Sequence, residues 1–199
     1  MLENHSEAFI NWLRAIVRRL RNIFSVAIVV FGSLTGSCYG LESAVWPTRI
    51  QTFDVARDGA PTAEEIATVV SARFHIRLTD ARQIGHAVLN ASTRYAISPL
   101  LLLAVIAVES SFDRFAISVV GAKGLMQVLP SQHRDLVLRT SDLSDTRTNV
   151  RIGSAILRDY IRTSDGNLDE ALSRYSGGAK DYARRVAEHM MKMKTEFGL

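Results

Sequence analysis

A chain of 199 residues, 47% hydrophobic and 22% charged, has ordinary globular composition and fits one domain with short extras. Its single cysteine, Cys38, excludes an intrachain disulfide and a cysteine-built zinc site; the five histidines are scattered with no pair at ligand spacing, so neither a metal nor a cofactor is expected. The net charge of +4 suits an anionic polymer or surface, but no Lys/Arg run is interleaved with aromatics, which argues against nucleic acid.

The first 40 residues read as a targeting segment. Arg14, Arg18, Arg19 and Arg21 precede the apolar run Ile23 to Phe31, and Gly32 to Gly40 is small and polar. Positive, apolar, then small is the order of a secretory signal peptide. The apolar run is shorter than the roughly 20 residues a membrane helix needs. Export to the cell envelope or periplasm is therefore expected, with cleavage after Ser37 or Gly40. An uncleaved anchor, or a lipid on Cys38, is the alternative, and this segment is the only expected contact with a membrane. Residues 41–73 form a linker or N-terminal extension containing Pro47, Gly59 and Pro61. Within it, Thr62 and Glu65 stand at capping-box spacing ahead of Ile66, Val69 and Val70, the start of a short helix.

Residues 74–199 form the folded domain. A helix opens at Thr79 or Asp80 and runs to Tyr95, with Ile84, Val88, Leu89 and Ala91 on its apolar side. Ser98-Pro99 is a start signal, a capping hydroxyl followed by proline at the first helical position. Leu100 to Ser110 is apolar nearly all round, which marks a buried helix. A loop follows, then a short helix over Ala122–Leu129, a polar stretch to Thr148, and helices over 149–162, 168–175 and 179–195. No alternating strand pattern of useful length appears, so the fold is all-α. About 120 to 135 folded residues can bury about two-thirds of their unfolded surface.

Glu109 closes the apolar helix. It turns to solvent or pairs with Arg114, or else it stays among apolar neighbours. In the second case the helix dipole and desolvation both favour the protonated form, as a general acid at a glycosidic oxygen requires.

The residues around it decide between these readings. Glu109-Ser110-Ser111-Phe112, Ser118 nine residues after the glutamate, and Gly121-Ala122-Lys123-Gly124-Leu125-Met126-Gln127 resemble the catalytic segment of the soluble lytic transglycosylases. These goose-type-lysozyme-like enzymes cut bacterial peptidoglycan. The match departs at Arg114, where proline is usual, and at Leu129, where methionine is usual. Two further family signatures follow in order: Asn149 to Leu157, with Ile156 for tyrosine, and Ala171 to Gly178, with Ser176 for asparagine.

The resemblance implies a lysozyme-like helical domain that takes glycan strands as substrate. Glu109 would be the single acid/base. It would protonate the bridging oxygen of the MurNAc-β-1,4-GlcNAc bond, then accept the proton of the muramoyl 6-hydroxyl as that oxygen closes onto C1, leaving a 1,6-anhydro end. Tyr175 would hydrogen-bond Glu109 or stabilise charge near it. Ser118, Gln127 and Ser176 would meet sugar or N-acetyl groups, with loop-fixing as the competing role. Met126 belongs to the same set, but its apolar side chain favours core packing over contact with substrate. Two carboxylates would instead suit a hydrolase, and Asp113 is read as a turn residue. The alternatives are a lysozyme-type hydrolase and a non-catalytic wall-binding assembly factor. Small family members serve secretion, conjugation or pilus machinery, and the resemblance extends that expectation here.

Overall fold

The computed structural model describes residues 59–137 and 142–199; the expected export segment and Cys38 lie outside them. Among the described residues there are seven helices and no strand, as the apolar periodicity predicts. They are α1 (Ala63–Phe74), α2 (Leu78–Tyr95), α3 (Pro99–Ser110), α4 (Arg134–Val137), α5 (Thr146–Thr163), α6 (Leu168–Tyr175) and α7 (Tyr182–Glu196).

The start of α1 is the predicted capping box. The Thr62 amide donates to Glu65 Oε2 at 2.7 Å, and the Glu65 amide donates to the Thr62 hydroxyl at 3.2 Å. Although α1 falls within the 41–73 extension, it contributes Ile66, Ala67 and Val70 to the core. It lies so close to α2 that a Cβ on Gly85 would stand 2.7 Å from the Ala63 carbonyl oxygen. Only glycine permits that approach.

At the centre is α3, with every residue from Leu101 to Ala107 buried. Leu102, Leu103 and Ile106 have no exposed surface, and burying each contributes about 2 to 3 kcal/mol. Pro99 opens the helix as predicted, but Ser98 makes no side-chain cap bond. The pair works through proline's fixed φ and the Ser98 carbonyl, which accepts from Leu102 N at 3.1 Å. The apolar faces of the other helices turn inward: α7 packs on α3, α2 on α1 and α5, and α6 on α5.

Three boundaries differ from the sequence reading. Helix α5 begins at Thr146, because the Asp145 carboxylate caps it by accepting from Thr148 N at 2.8 Å. Helix α7 begins at Tyr182, because Asp181 stands in the left-handed region at φ 59°. The helix expected over Ala122–Leu129 does not form. Gly124 (φ 74°) and Gln127 (φ 46°) break any helical path. The chain instead makes two isolated antiparallel bridges, Ile117 with Lys123 and Lys123 with Val128.

Ile156, at the family's tyrosine position, is buried in a small apolar cluster with Val128, Leu143 and Ile152. It underpins the loop through Val128.

Candidate active site

Glu109 is the penultimate residue of α3, half-buried where the helix stops. The stop is abrupt: Ser111 and Phe112 both take left-handed backbone, φ 50° and 66°. Such conformations cost a non-glycine residue of order 1 kcal/mol each. Burial of the Phe112 side chain, 4.5 Å between ring centroids from Phe74 of α1, holds the turn in place. The Ser110 hydroxyl donates to the Leu125 carbonyl at 2.8 Å, tying the helix end to the glycine loop.

The Tyr182 hydroxyl donates to Glu109 Oε1 at 2.6 Å. Burial pushes the Glu109 carboxyl up to about 6; the Tyr182 bond and the nearby charge of Arg185 pull the other way and moderate the rise. About a tenth of Glu109 then still carries its proton at pH 7, and half at pH 6. Burial, then the adjacent Glu109 charge, holds the Tyr182 phenol far above its ordinary value, so it remains a donor throughout. With Oε1 occupied as an acceptor, the acid proton resides on Oε2, which has no hydrogen-bond partner among the described residues.

Of the expected site residues, Tyr175 is brought beside Glu109 but not bonded to it. Its hydroxyl donates to the Met126 carbonyl at 2.8 Å. Burial raises its pKa well above the ordinary value, with a second contribution from the Glu109 charge, so it is a neutral anchor near the acid. The hydrogen bond expected from Tyr175 is made by Tyr182, one turn beyond the last sequence signature.

Met126 is fully buried, in the core-packing role its apolar side chain favoured over contact with substrate. Its amide donates to Asn149 Oδ1 at 2.8 Å, and its sulfur accepts from the Ser154 hydroxyl at 3.8 Å. A Cβ on Gly153 would stand 2.5 Å from the Met126 Cβ. Asn149 also donates from Nδ2 to the carbonyls of Lys123 and Leu143, each at 2.8 Å. One buried amide thus pins the loop at two points and ties it to the segment before α5 at Leu143, in space that Gly124 leaves clear.

Gln127 and Ser118 fix the same loop. Gln127 Nε2 donates to the carbonyls of Ala116 (3.2 Å) and Gly124 (3.0 Å), and the Ser118 hydroxyl accepts from Ala122 N at 3.0 Å. Each keeps capacity beyond these bonds: the Gln127 carbonyl oxygen can still accept, and the Ser118 hydroxyl can still donate. Ser176 belongs to the turn between α6 and α7, donating to the Ser173 carbonyl at 3.0 Å and accepting from Ala179 N at 3.2 Å.

The neighbouring aspartates have other partners. Asp113 accepts from Phe115 N at 2.8 Å, the turn role expected of it. Asp142 accepts from Ser144, and Asp145 caps α5. Both are held below the usual carboxylate range, chiefly by these hydrogen bonds and in small part by Arg114. Arg114 therefore lies toward the aspartates, with its guanidinium 4.7 Å from the Phe115 ring centroid. No ion pair joins it to Glu109 among the described residues.

The arrangement offers one carboxyl with a raised pKa, a permanent phenol donor on one oxygen, and a rigid loop beside it. Comparison with known proteins agrees with that chemistry. The family model described as "Transglycosylase SLT domain" matches residues 86–197, more than half of the chain. The chain is also similar to a protein named "Transglycosylase" from Enterobacteria phage PRD1, 35% identical over 88 residues that make up 44% of this chain and 32% of that protein. The chain thus aligns with about a third of the length of that curated relative.

Proposed function

The chain belongs to the transglycosylase SLT domain family, with its all-α, lysozyme-like fold, and from that premise we propose that it is a peptidoglycan lytic transglycosylase. One observation supports this most: Glu109 is a single carboxyl whose pKa burial raises to about 6, while Asp113, Asp142 and Asp145 are engaged in turns and a helix cap. A carboxyl held near pH 6 serves equally as acid and base. Glu109 Oε2 donates its proton to the oxygen leaving muramoyl C1. The resulting carboxylate accepts the proton of the muramoyl 6-hydroxyl as O6 bonds to C1, and no water enters. Gln127 Oε1 and the Ser118 hydroxyl take sugar N-acetyl or hydroxyl groups, and Tyr175 keeps the loop seated.

Digestion of purified sacculi, with products weighed by mass spectrometry, tests this. Muropeptides one water lighter than hydrolysis products, absent with Glu109→Gln, are expected. Hydrated reducing ends would instead establish a hydrolase, and no products from either chain a non-catalytic wall factor.

The reading extends to an exported enzyme in the periplasm or envelope, supported by the basic, apolar and small-residue order of residues 1–40. Local opening of the wall for an envelope-spanning machine such as a secretion, conjugation or pilus system rests on the family resemblance. Loss of that machine's assembly with Glu109→Gln, with protein levels unchanged, is its test.

A further inference from the structure

Arg185 stands one turn along α7 from Tyr182, with its guanidinium carbon 5.6 Å from the Tyr182 ring centroid. The same tyrosine holds Glu109, so the guanidinium lies at the edge of the acid's immediate surroundings, and its charge reaches Glu109. The side chain is exposed. Its neighbour Arg184 is paired with Asp181 and Glu188, whereas no carboxylate among the described residues lies within ion-pair distance of Arg185.

Apart from the Glu109 charge that it reaches, Arg185 has no anionic partner at ion-pair distance among the described residues. Lys192 follows Arg185 at a spacing of seven on the same side of α7; His189, between them, has its pKa lowered chiefly by burial and adds no charge near neutral pH. Arg73 approaches from α1, paired to Glu196, and its charge also reaches His189. A planar fork of donors presented to solvent in a positive field is suited to a carboxylate. Peptidoglycan supplies carboxylates close to the scissile bond, because the peptide on each muramoyl residue carries free acids.

We propose that Arg185 forms an anionic subsite beside the acid and takes a carboxylate of the muramoyl-linked peptide, favouring strands whose peptides carry free acids. This rests on peptidoglycan being the substrate. The subsite would align the peptide-bearing muramoyl residue against Glu109 and give the positive face of α7 a role in substrate choice.

The test compares two substrates of equal size: peptide-bearing glycan strands, and the same strands after carbodiimide and ammonia have turned their carboxyls into amides. At one fixed pH and ionic strength, kcat/KM of the full wild-type chain should fall about fivefold on amidation, the upper range for an exposed ion pair. For Arg185→Gln the ratio between the two substrates should approach one, and Arg185→Lys should retain part of it. The ratio is taken within each variant, so changes in folding or in the Glu109 environment cancel. A wild-type ratio of one, or an Arg185→Gln ratio equal to the wild-type value, overturns the subsite while leaving the transglycosylase reading intact. Cleavage of neither substrate by wild type overturns both.

Discussion

Replacing Glu109 by glutamine should stabilise the protein while abolishing its chemistry. Glutamine keeps the shape of the side chain and an oxygen for the Tyr182 hydroxyl, so the perturbation is the removal of an ionisable group. Glu109 titrates near 6 in the fold, against 4.5 when solvated, which corresponds to about 2 kcal/mol of native-state penalty on its ionised form. The folded state holds this proton more tightly than the unfolded state, so the penalty is absent below about pH 4.5, grows between there and pH 6, and is complete above. Glu109→Gln should therefore be more stable than wild type by about 2 kcal/mol at pH 7.5 and equal to it at pH 4. For a domain of this size the difference at pH 7.5 is about 6 to 8 °C in Tm. Thermal and urea unfolding of both chains at pH 4, 5.3 and 7.5 measure it. A stability difference that does not vary with pH, or a glutamine variant less stable at pH 7.5, would refute the assignment of Glu109 as a carboxyl kept from ionising by burial.

Two further substitutions probe what surrounds the acid. Tyr182→Phe removes a hydrogen bond that favours the carboxylate, so the Glu109 pKa should rise further and the high-pH limb of the kcat/KM profile should move to higher pH. The maximal rate should fall about tenfold as Oε1 loses its fixed donor; an unmoved limb would show that Tyr182 does not govern the acid. Asn149→Ala removes three hydrogen bonds, two of them buried, at about 1 kcal/mol each, so urea unfolding should register a loss near 3 kcal/mol. Asn149→Asp keeps the acceptor for Met126 N but turns a second oxygen toward the two carbonyls that Nδ2 now serves, so it should lose at least as much. A loss under about 1 kcal/mol for Asn149→Ala would mean the loop is held elsewhere.

The helices were legible because their signals are local. The capping box at Thr62 and Glu65, the proline at Pro99 and the unbroken apolar run of α3 each act within one or two turns of chain. Glu109 was legible for the same reason, being a charge at the end of an apolar run. Tyr182 was not: it lies 73 residues away, and in sequence it is one aromatic on an apolar stripe that continues through Val186 and Met193. A tyrosine heading such a stripe, with a hydroxyl that must find a partner once buried, is the signal that could have found it. The misread helix over Ala122–Leu129 shows the opposite failure. Its apolar spacing fits a helix, but the bonds that determine its path come from Asn149 and Tyr175, far along the chain, and the positive φ at Gly124 and Gln127 turns the backbone to meet them. Met126 was legible as a core side chain from its apolar type, but what makes room for it was not: Gly153, whose missing side chain is informative only once α5 is in place.

The bond between Tyr182 and Glu109 also imposes an order of events. A chain still being made presents α3 and the glycine loop well before α7 exists to cover them. Until α7 docks, Glu109 has neither its phenol donor nor the buried surroundings that raise its pKa, and it behaves as an ordinary surface carboxylate. On the proposed activity, a nascent, truncated or partly unfolded chain would carry every motif of a wall-cutting enzyme and none of its cutting power. The 73-residue separation of acid and donor, with three helices between them, thus makes complete folding a condition of the proposed activity.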